Sequence, residues 1–287
     1  YGELRIFAEA VAERFSSDGV TQGTTIGLLL ENGPKWVIAD LAAAAIGAIV
    51  VPIHTTYNRH YIEYVLDHAE IKYLVASDEL YEKFSDLLSK RNFSKIYLTG
   101  EKQENSDNRI AYLADILKGS KTASTSFPLA NVQPENTHTI VYTSGTTGKP
   151  KGVMLSHKNL VSNAMGALEN IPVFSSDRFL SFLPLSHIFE RTAGYYVPLF
   201  SGAEIYYARG ITTLAEDIRN AKPTILVCVP RVFERVHEKI MAKFSKPILQ
   251  QIFRHALSTA EQARRSGSAS FSAKLYDKVL FHKIREG

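Results

Sequence analysis

TTIGLLLENGPKWVIADLAAAAIGAIVVPI, Thr24 to Ile53, decides the fold. Its first part, Thr24 to Asn32, is short, apolar and β-rich at its core, which reads as a buried strand. Pro34 then opens a helix at the position where a missing N–H costs nothing. The run closes on a second apolar strand, Ile49 to Ile53. Near-continuous apolar strands separated by a helix belong to a mostly parallel sheet covered on both faces.

The same alternation extends in both directions. Upstream, Leu4, Phe7, Ala8, Val11 and Phe15 recur at helical spacing and stop near Gly19, predicting an amphipathic helix that ends on a glycine cap. Downstream, strands are expected at Lys72 to Ala76, Lys95 to Thr99, Thr139 to Thr143, Phe179 to Leu183, Glu204 to Tyr207 and Thr224 to Val229. Helical stretches separate most of them, so the expected class is α/β, with ligands bound outside the carboxyl ends of the strands. Lys118 to Thr137 is rich in Ser, Thr, Pro and Asn and reads as a linker. The expected organisation is a first α/β subdomain over 1–120, a linker over 121–136, a second α/β subdomain over 137–230 and a basic helical segment over 231–287, broken at Pro247 and around Gly267.

Composition narrows the class. With 287 residues, 45% of them hydrophobic and 22% charged, the chain can bury a sizeable core and is not disordered. Cys228 is the single cysteine, which excludes an intramolecular disulfide and a cysteine-based zinc site. It fits a reducing, cytoplasmic setting, and its apolar surroundings predict an inert thiol in a strand. The longest apolar run, Leu41 to Ile53, is too short to span a bilayer. The net charge of +4 is unevenly spread, residues 231–287 holding 12 Lys/Arg against 5 Asp/Glu. A solvated face is the default reading of Arg231, Arg235 and Lys239 at i, i+4 and i+8, membrane-surface contact is the sharper one, and no nucleic-acid partner is expected. Because the chain starts at Tyr1 and stops at Gly287 within a helix-like pattern, it is expected to be part of a longer protein.

Chemistry concentrates in HTIVYTSGTTGKPKGVMLSH, His138 to His157. An apolar strand runs into a loop holding Thr143, Ser144, Gly145, Thr146, Thr147, Gly148, Lys149 and Lys151, and a second apolar stretch follows. Glycines let backbone N–H groups converge on an anion, hydroxyls add donors, and two lysines supply charge for a polyphosphate. It is not a Walker A loop, because Pro150 and Gly152 stand where that motif needs Gly and Ser or Thr. A plain Gly/Ser/Thr hairpin is the bland alternative. Nine histidines invite a metal centre, yet His54 and His60 lack helix-face spacing and no H-E-x-x-H occurs. Nor is there a G-x-S-x-G elbow for a serine hydrolase.

The order of residues in TSGTTGKPKG, Thr143 to Gly152, resembles the signature of the AMP-forming, adenylate-forming ligases. FLSFLPLSHIFERTAGYYVPLFSGAEI, Phe179 to Ile205, resembles their acyl-pocket region, and LPLSHIFER is most similar to long-chain fatty acyl-CoA synthetases, as is Lys222 to Ile240. The resemblance implies the large N-terminal domain of that fold and a two-step long-chain fatty acid–CoA ligase that uses ATP, Mg²⁺ and CoA, with small-molecule substrates; the alternatives are another adenylate-forming enzyme, a carrier-protein acyl ligase or a luciferase-like one, and a non-catalytic nucleotide-binding module. It implies that Thr143 is the hydroxyl near Mg²⁺. Ser144, Gly145, Thr146, Thr147, Gly148 and Lys149 would embrace the β and γ phosphates, and Lys151 would close the loop. His187, Lys149 and Lys151 become the expected catalytic groups, with His187, Arg191 and Gly194 expected at the substrate. The family's adenine-stacking Tyr-Gly-x-Thr-Glu stretch, ribose-binding Asp, hinge and C-terminal lid domain have no counterpart here.

Overall fold

The computed structural model describes residues 1–101, 107–120, 130–143, 150–243 and 247–266, with Tyr276 and Lys278. Helix α1 (Gly2–Ser17) buries Ala8, Val11, Ala12 and Phe15 on one stripe. Gly19 follows it at φ +94°, a backbone region that favours glycine. The deciding stretch folds as β1 (Thr25–Leu29), α2 (Pro34–Ala45) and β2 (Ile49–Pro52). Next come α3 (Arg59–His68), β3 (Tyr73–Ala76), α4 (Asp78–Lys83), α5 (Ser85–Leu88), β4 (Lys95–Leu98), β5 (Ile110–Tyr112) and α6 (Leu113–Ser120). A hairpin of β6 (Thr137–Thr143) and β7 (Lys151–Ser156) leads to α7 (His157–Asn170) and β8 (Arg178–Ser181). The chain continues through α8 (Ile188–Glu190), a π-helical turn over Arg191–Tyr196, α9 (Val197–Ser201), β9 (Glu204–Tyr207), α10 (Leu214–Ala221), α11 (Pro230–Lys243) and α12 (Pro247–Ser266).

Seven strands form one sheet in the order β5-β4-β3-β1-β2-β6-β7, parallel except for the antiparallel β6–β7 pair. Strands β8 and β9 pair in parallel as a second, two-stranded sheet. The period of two along each strand sends neighbours to opposite faces. Leu28 and Val50 join a core with Phe15, Trp36 and Tyr195, whereas Leu29 and Val51 join another with Ile62, Leu66 and Leu88. Each fully buried side chain of this kind stabilises the sheet by about 1.5–3 kcal/mol.

Two expectations need correction. Thr224–Val229 is not a strand; Pro223 and Pro230 flank it, and a single bridge joins Ile225 to Phe179. Cys228 accordingly lies in irregular chain and is half-buried, although burial still raises its thiol pKa. The expected subdomains over 1–120 and 137–230 share the seven-stranded sheet, since β6 pairs with β2. The chain divides into two compact units, Tyr1–Val227 and Cys228–Gly287. Within the second unit, α12 buries Phe253, Ala256 and Thr259 at helical spacing. Among the described residues no helix is long and apolar enough to cross a membrane.

Candidate functional site

The hairpin that carries the glycine-rich motif is anchored residue by residue. Thr143 pairs with Lys151 at its open end, Tyr142 with Gly152 and Val141 with Val153. The expected phosphate-binding residues Ser144, Gly145, Thr146, Thr147, Gly148 and Lys149 lie outside the described residues. Both arms are gripped by α3. The Tyr64 hydroxyl donates to the Pro150 carbonyl at 3.1 Å, and His68 Nδ1 meets the Tyr142 hydroxyl at 2.7 Å. The Tyr64 and His68 rings stack at 5.2 Å. Burial pushes the Tyr142 hydroxyl up to about 12, so it stays protonated and neutral at physiological pH. Gly152 is required by packing: a Cβ there would stand 2.8 Å from Ile140 Cγ2. Thr143 and Lys151 are thereby held at the carboxyl end of the parallel strands, the end where open α/β sheets bind ligands.

A second loop, Leu183 to His187 after β8, is tied to this same end. Asn32, just beyond β1, accepts from the Leu185 N–H at 2.9 Å and donates to the Leu183 carbonyl at 2.6 Å and to Ser181 Oγ at 3.2 Å. His54, just beyond β2, meets Ser186 Oγ through Nδ1 at 2.7 Å. His187 itself is exposed and caps α8, its Nδ1 accepting the Phe189 N–H at 3.2 Å. An imidazole nitrogen that accepts carries no proton, so in the neutral ring the proton sits on Nε2, as a donor. The His54 ring lies 6.4 Å from that of His187, and its pKa is lowered first by burial and then by the charge of His187.

Arg191 and Gly194 occupy the π-helical turn. The Arg191 side chain, expected at the substrate, is wholly buried in this structure. Its guanidinium pairs with Asp40, donates to Thr139 Oγ1 at 2.7 Å and lies 5.1 Å over the Trp36 ring. Tyr196 donates to the other oxygen of Asp40 at 2.9 Å. Burial disfavours the Asp40 anion, but Arg191 and His138 outweigh it and hold the carboxyl well below the usual range. In this conformation Arg191 ties the turn to α2 and β6, and no atom of its side chain is open to a ligand. Gly194 makes room for Glu190, because a Cβ would fall on the Glu190 carboxylate. Both carboxylate oxygens of Glu190 are buried without a hydrogen-bond partner. Burial pushes the Glu190 carboxyl up to about 7.

A family profile described as AMP-binding enzyme matches residues 1–282. The chain belongs to that family. The chain is 30% identical, over its whole length, to long chain acyl-CoA synthetase 7, peroxisomal, of Arabidopsis thaliana, and spans 42% of that protein. Among solved structures it is similar to ATP-bound MatB from Rhodopseudomonas palustris, with TM-score 0.70 and 25% identity over 86% of this chain and 46% of that one. The adenylation domain of a carboxylate reductase from Mycobacterium chelonae has TM-score 0.74 and 23% identity over 85% of this chain and 41% of that one, a likeness in fold.

Within this fold, Thr143 and Lys151 are brought together, and His187 sits on the loop tethered to the same end of the sheet. Sequence reasoning missed Asn32, His54, Asp40, Glu190 and the Tyr64–His68 clamp. Asp40 did carry a signal, a lone acid inside the apolar run VIADLAAAA. Such an acid is rarely buried without a partner.

Proposed function

We propose that the protein activates a long-chain fatty acid with ATP as an acyl adenylate and passes the acyl group to CoA. The observation that supports this most is the convergence at one end of the sheet of the Thr143–Lys151 hairpin mouth and the tethered His187 loop. A carboxylate is a poor acylating agent because its leaving group would be oxide. Its oxygen attacks the α-phosphorus of ATP, forming the acyl–O–P bond while the α–β bridging P–O bond breaks and pyrophosphate leaves. The sulfur of CoA then bonds to the acyl carbon, the C–O bond to AMP breaks, and the thiol proton is released. The first step brings anions together, so it needs positioned donors rather than a side-chain nucleophile. His187 Nε2–H is suited to donate to the carboxylate or to an α-phosphate oxygen. Lys149 and Lys151 would offset phosphate charge.

The family implies Mg²⁺ with the nucleotide. Among the described residues no group of three His, Cys, Asp or Glu could hold a metal ion. Exposed at the end of β6, Thr143 offers one hard hydroxyl oxygen. That fits an ion that takes most of its ligands from phosphates and water. Thr143 would hold it, and when bound the ion would neutralise charge developing on the phosphates.

The test is ATP–pyrophosphate exchange by the full-length protein with a panel of acids, with and without CoA. Exchange that depends on long-chain acids, with acyl-CoA formed on adding CoA, is the expected result. Exchange without CoA consumption would assign another acyl acceptor, and no exchange with any acid would reject the reading. Lys149→Ala or Thr143→Ala should slow exchange roughly ten- to a hundredfold, the loss of one charge-assisted hydrogen bond, while fatty-acid binding changes little. Unchanged rates in both variants would reject the phosphate-loop assignment.

A further inference from the structure

We propose that Asn32 is a positioning residue for this chemistry, its carboxamide clamping the Leu183–Leu185 backbone from which His187 is presented. The inference rests on the role proposed for His187. Leu185 is fully buried, so its N–H has no recourse to water, and Asn32 Oδ1 supplies its acceptor at 2.9 Å. The Leu183 carbonyl takes the Asn32 amide N–H at 2.6 Å. Between them stands Pro184, which has no N–H to offer, and its carbonyl accepts from the His187 N–H at 2.9 Å. In the turn that delivers His187, the Leu183–Leu185 backbone is therefore held by a side chain that both donates and accepts. Aspartate lacks the donor, and aliphatic residues lack both.

The clamp joins two sheets. Asn32 follows β1 of the seven-stranded sheet, whereas Ser181 ends β8 of the two-stranded sheet. Asn32 Nδ2 reaches Ser181 Oγ as well, at 3.2 Å. His54, which follows β2, adds a second tether at Ser186. The ends of two adjacent strands of one sheet thus hold a single loop of the other, beside the strand that carries Thr143. Asn32 makes these bonds to the loop after β8, so losing the clamp should move the His187 loop and spare the hairpin mouth. A shift of about 1 Å in a group that acts on reacting atoms costs on the order of a hundredfold in rate.

Asn32→Ala and Asn32→Gln in the full-length protein test the inference. Two readouts are needed: steady-state ATP–pyrophosphate exchange, and hydrogen–deuterium exchange of the peptide covering residues 181–190. The expected result for Asn32→Ala is a kcat about ten- to a hundredfold lower, KM values for ATP and acid within about threefold, and faster deuterium uptake confined to that peptide. Asn32→Gln keeps donor and acceptor and should recover part of both effects. An Asn32→Ala protein with wild-type kcat, or with unchanged uptake in that peptide, would overturn the clamp. If Asn32→Ala does not fold, Asn32→Asp replaces it, and the same two readouts decide. If the wild-type protein shows no acid-dependent exchange, the proposed function fails, while deuterium uptake still decides whether the clamp exists.

Discussion

Glu190 is a carboxyl group placed where it is hard to ionise. Its folded pKa near 7 stands above the unfolded value of about 4.3, so it contributes stability below pH 4.3 that is lost as pH rises through 7. His157 acts in the opposite sense. Burial first, and then the charge of His138, hold its imidazole down to about 4. Stability from that group is present above about pH 6.5 and lost as pH falls through 4. The two slopes oppose each other between pH 4 and 7 and partly cancel in the wild-type protein. Glu190→Gln should remove one slope: stability then rises with pH across that window, and above pH 7 the variant gains on the order of 3–4 kcal/mol over wild type. His157→Gln should show the converse, a fall in stability as pH rises. Urea midpoints measured from pH 4 to 8 check both, and parallel profiles for all three proteins would contradict the burial argument. Asp40→Asn leaves the buried Arg191 without its anion, and the expected cost is about 3–5 kcal/mol. Denaturation of Asp40→Asn beside the Asp40→Asn, Arg191→Met pair tests this, since the double variant should recover part of the loss.

At the level of elements, the β6–β7 hairpin and its clamp on α3 set the geometry of the site. Gly152→Ala would press a Cβ against the Cγ2 of a β-branched, partly buried Ile140, and such overpacking costs about 1–3 kcal/mol. Because Gly152 faces Tyr142, one pair from the hairpin mouth, the variant should also slow ATP–pyrophosphate exchange. A variant with wild-type stability and exchange would show that the arms have slack. The strand–helix alternation was legible because buried parallel strands are apolar on both faces and their helices carry a stripe. β5 was not, since three residues, Ile110–Tyr112, leave no period to read. β7 was read only as an apolar stretch, as an edge strand with Val153 and Met154 exposed lacks the burial pattern of its neighbours. Thr224–Val229 has strand composition, but prolines on both sides limit it to one bridge. In the site, TSGTTGKPKG could be read because its residues are consecutive. Asn32, by contrast, gains its role from a partner 153 positions away, and Asp40 from one 151 positions away. No local spacing encodes such contacts.

For the whole molecule, the uneven charge makes a separate prediction about where the protein resides. Residues 231–287 hold 12 Lys/Arg against 5 Asp/Glu, whereas acids outnumber bases in the rest. In the second compact unit, Arg231 and Arg235 are exposed on α11 with Phe233, and Arg254, Arg264 and Arg265 on α12 with Ile252 and Leu257. The side chain of Lys239, the third member of the expected basic row, lies outside the described residues. Basic side chains interleaved with exposed apolar ones suit the surface of an anionic bilayer. Each Lys or Arg near such a surface contributes about 1 kcal/mol, and salt screens the attraction over about 10 Å at 0.1 M. The long-chain acid proposed above as substrate would partition into such membranes, and dwelling there would favour that reaction. Co-sedimentation with vesicles should therefore rise with the fraction of anionic lipid and fall as ionic strength increases. Arg231→Glu together with Arg235→Glu reverses two charges on the exposed face of α11, so that variant should require more anionic lipid for the same recovery. Equal recovery of the wild-type protein on neutral and anionic vesicles would return the basic helices to the simpler role of a solvated face.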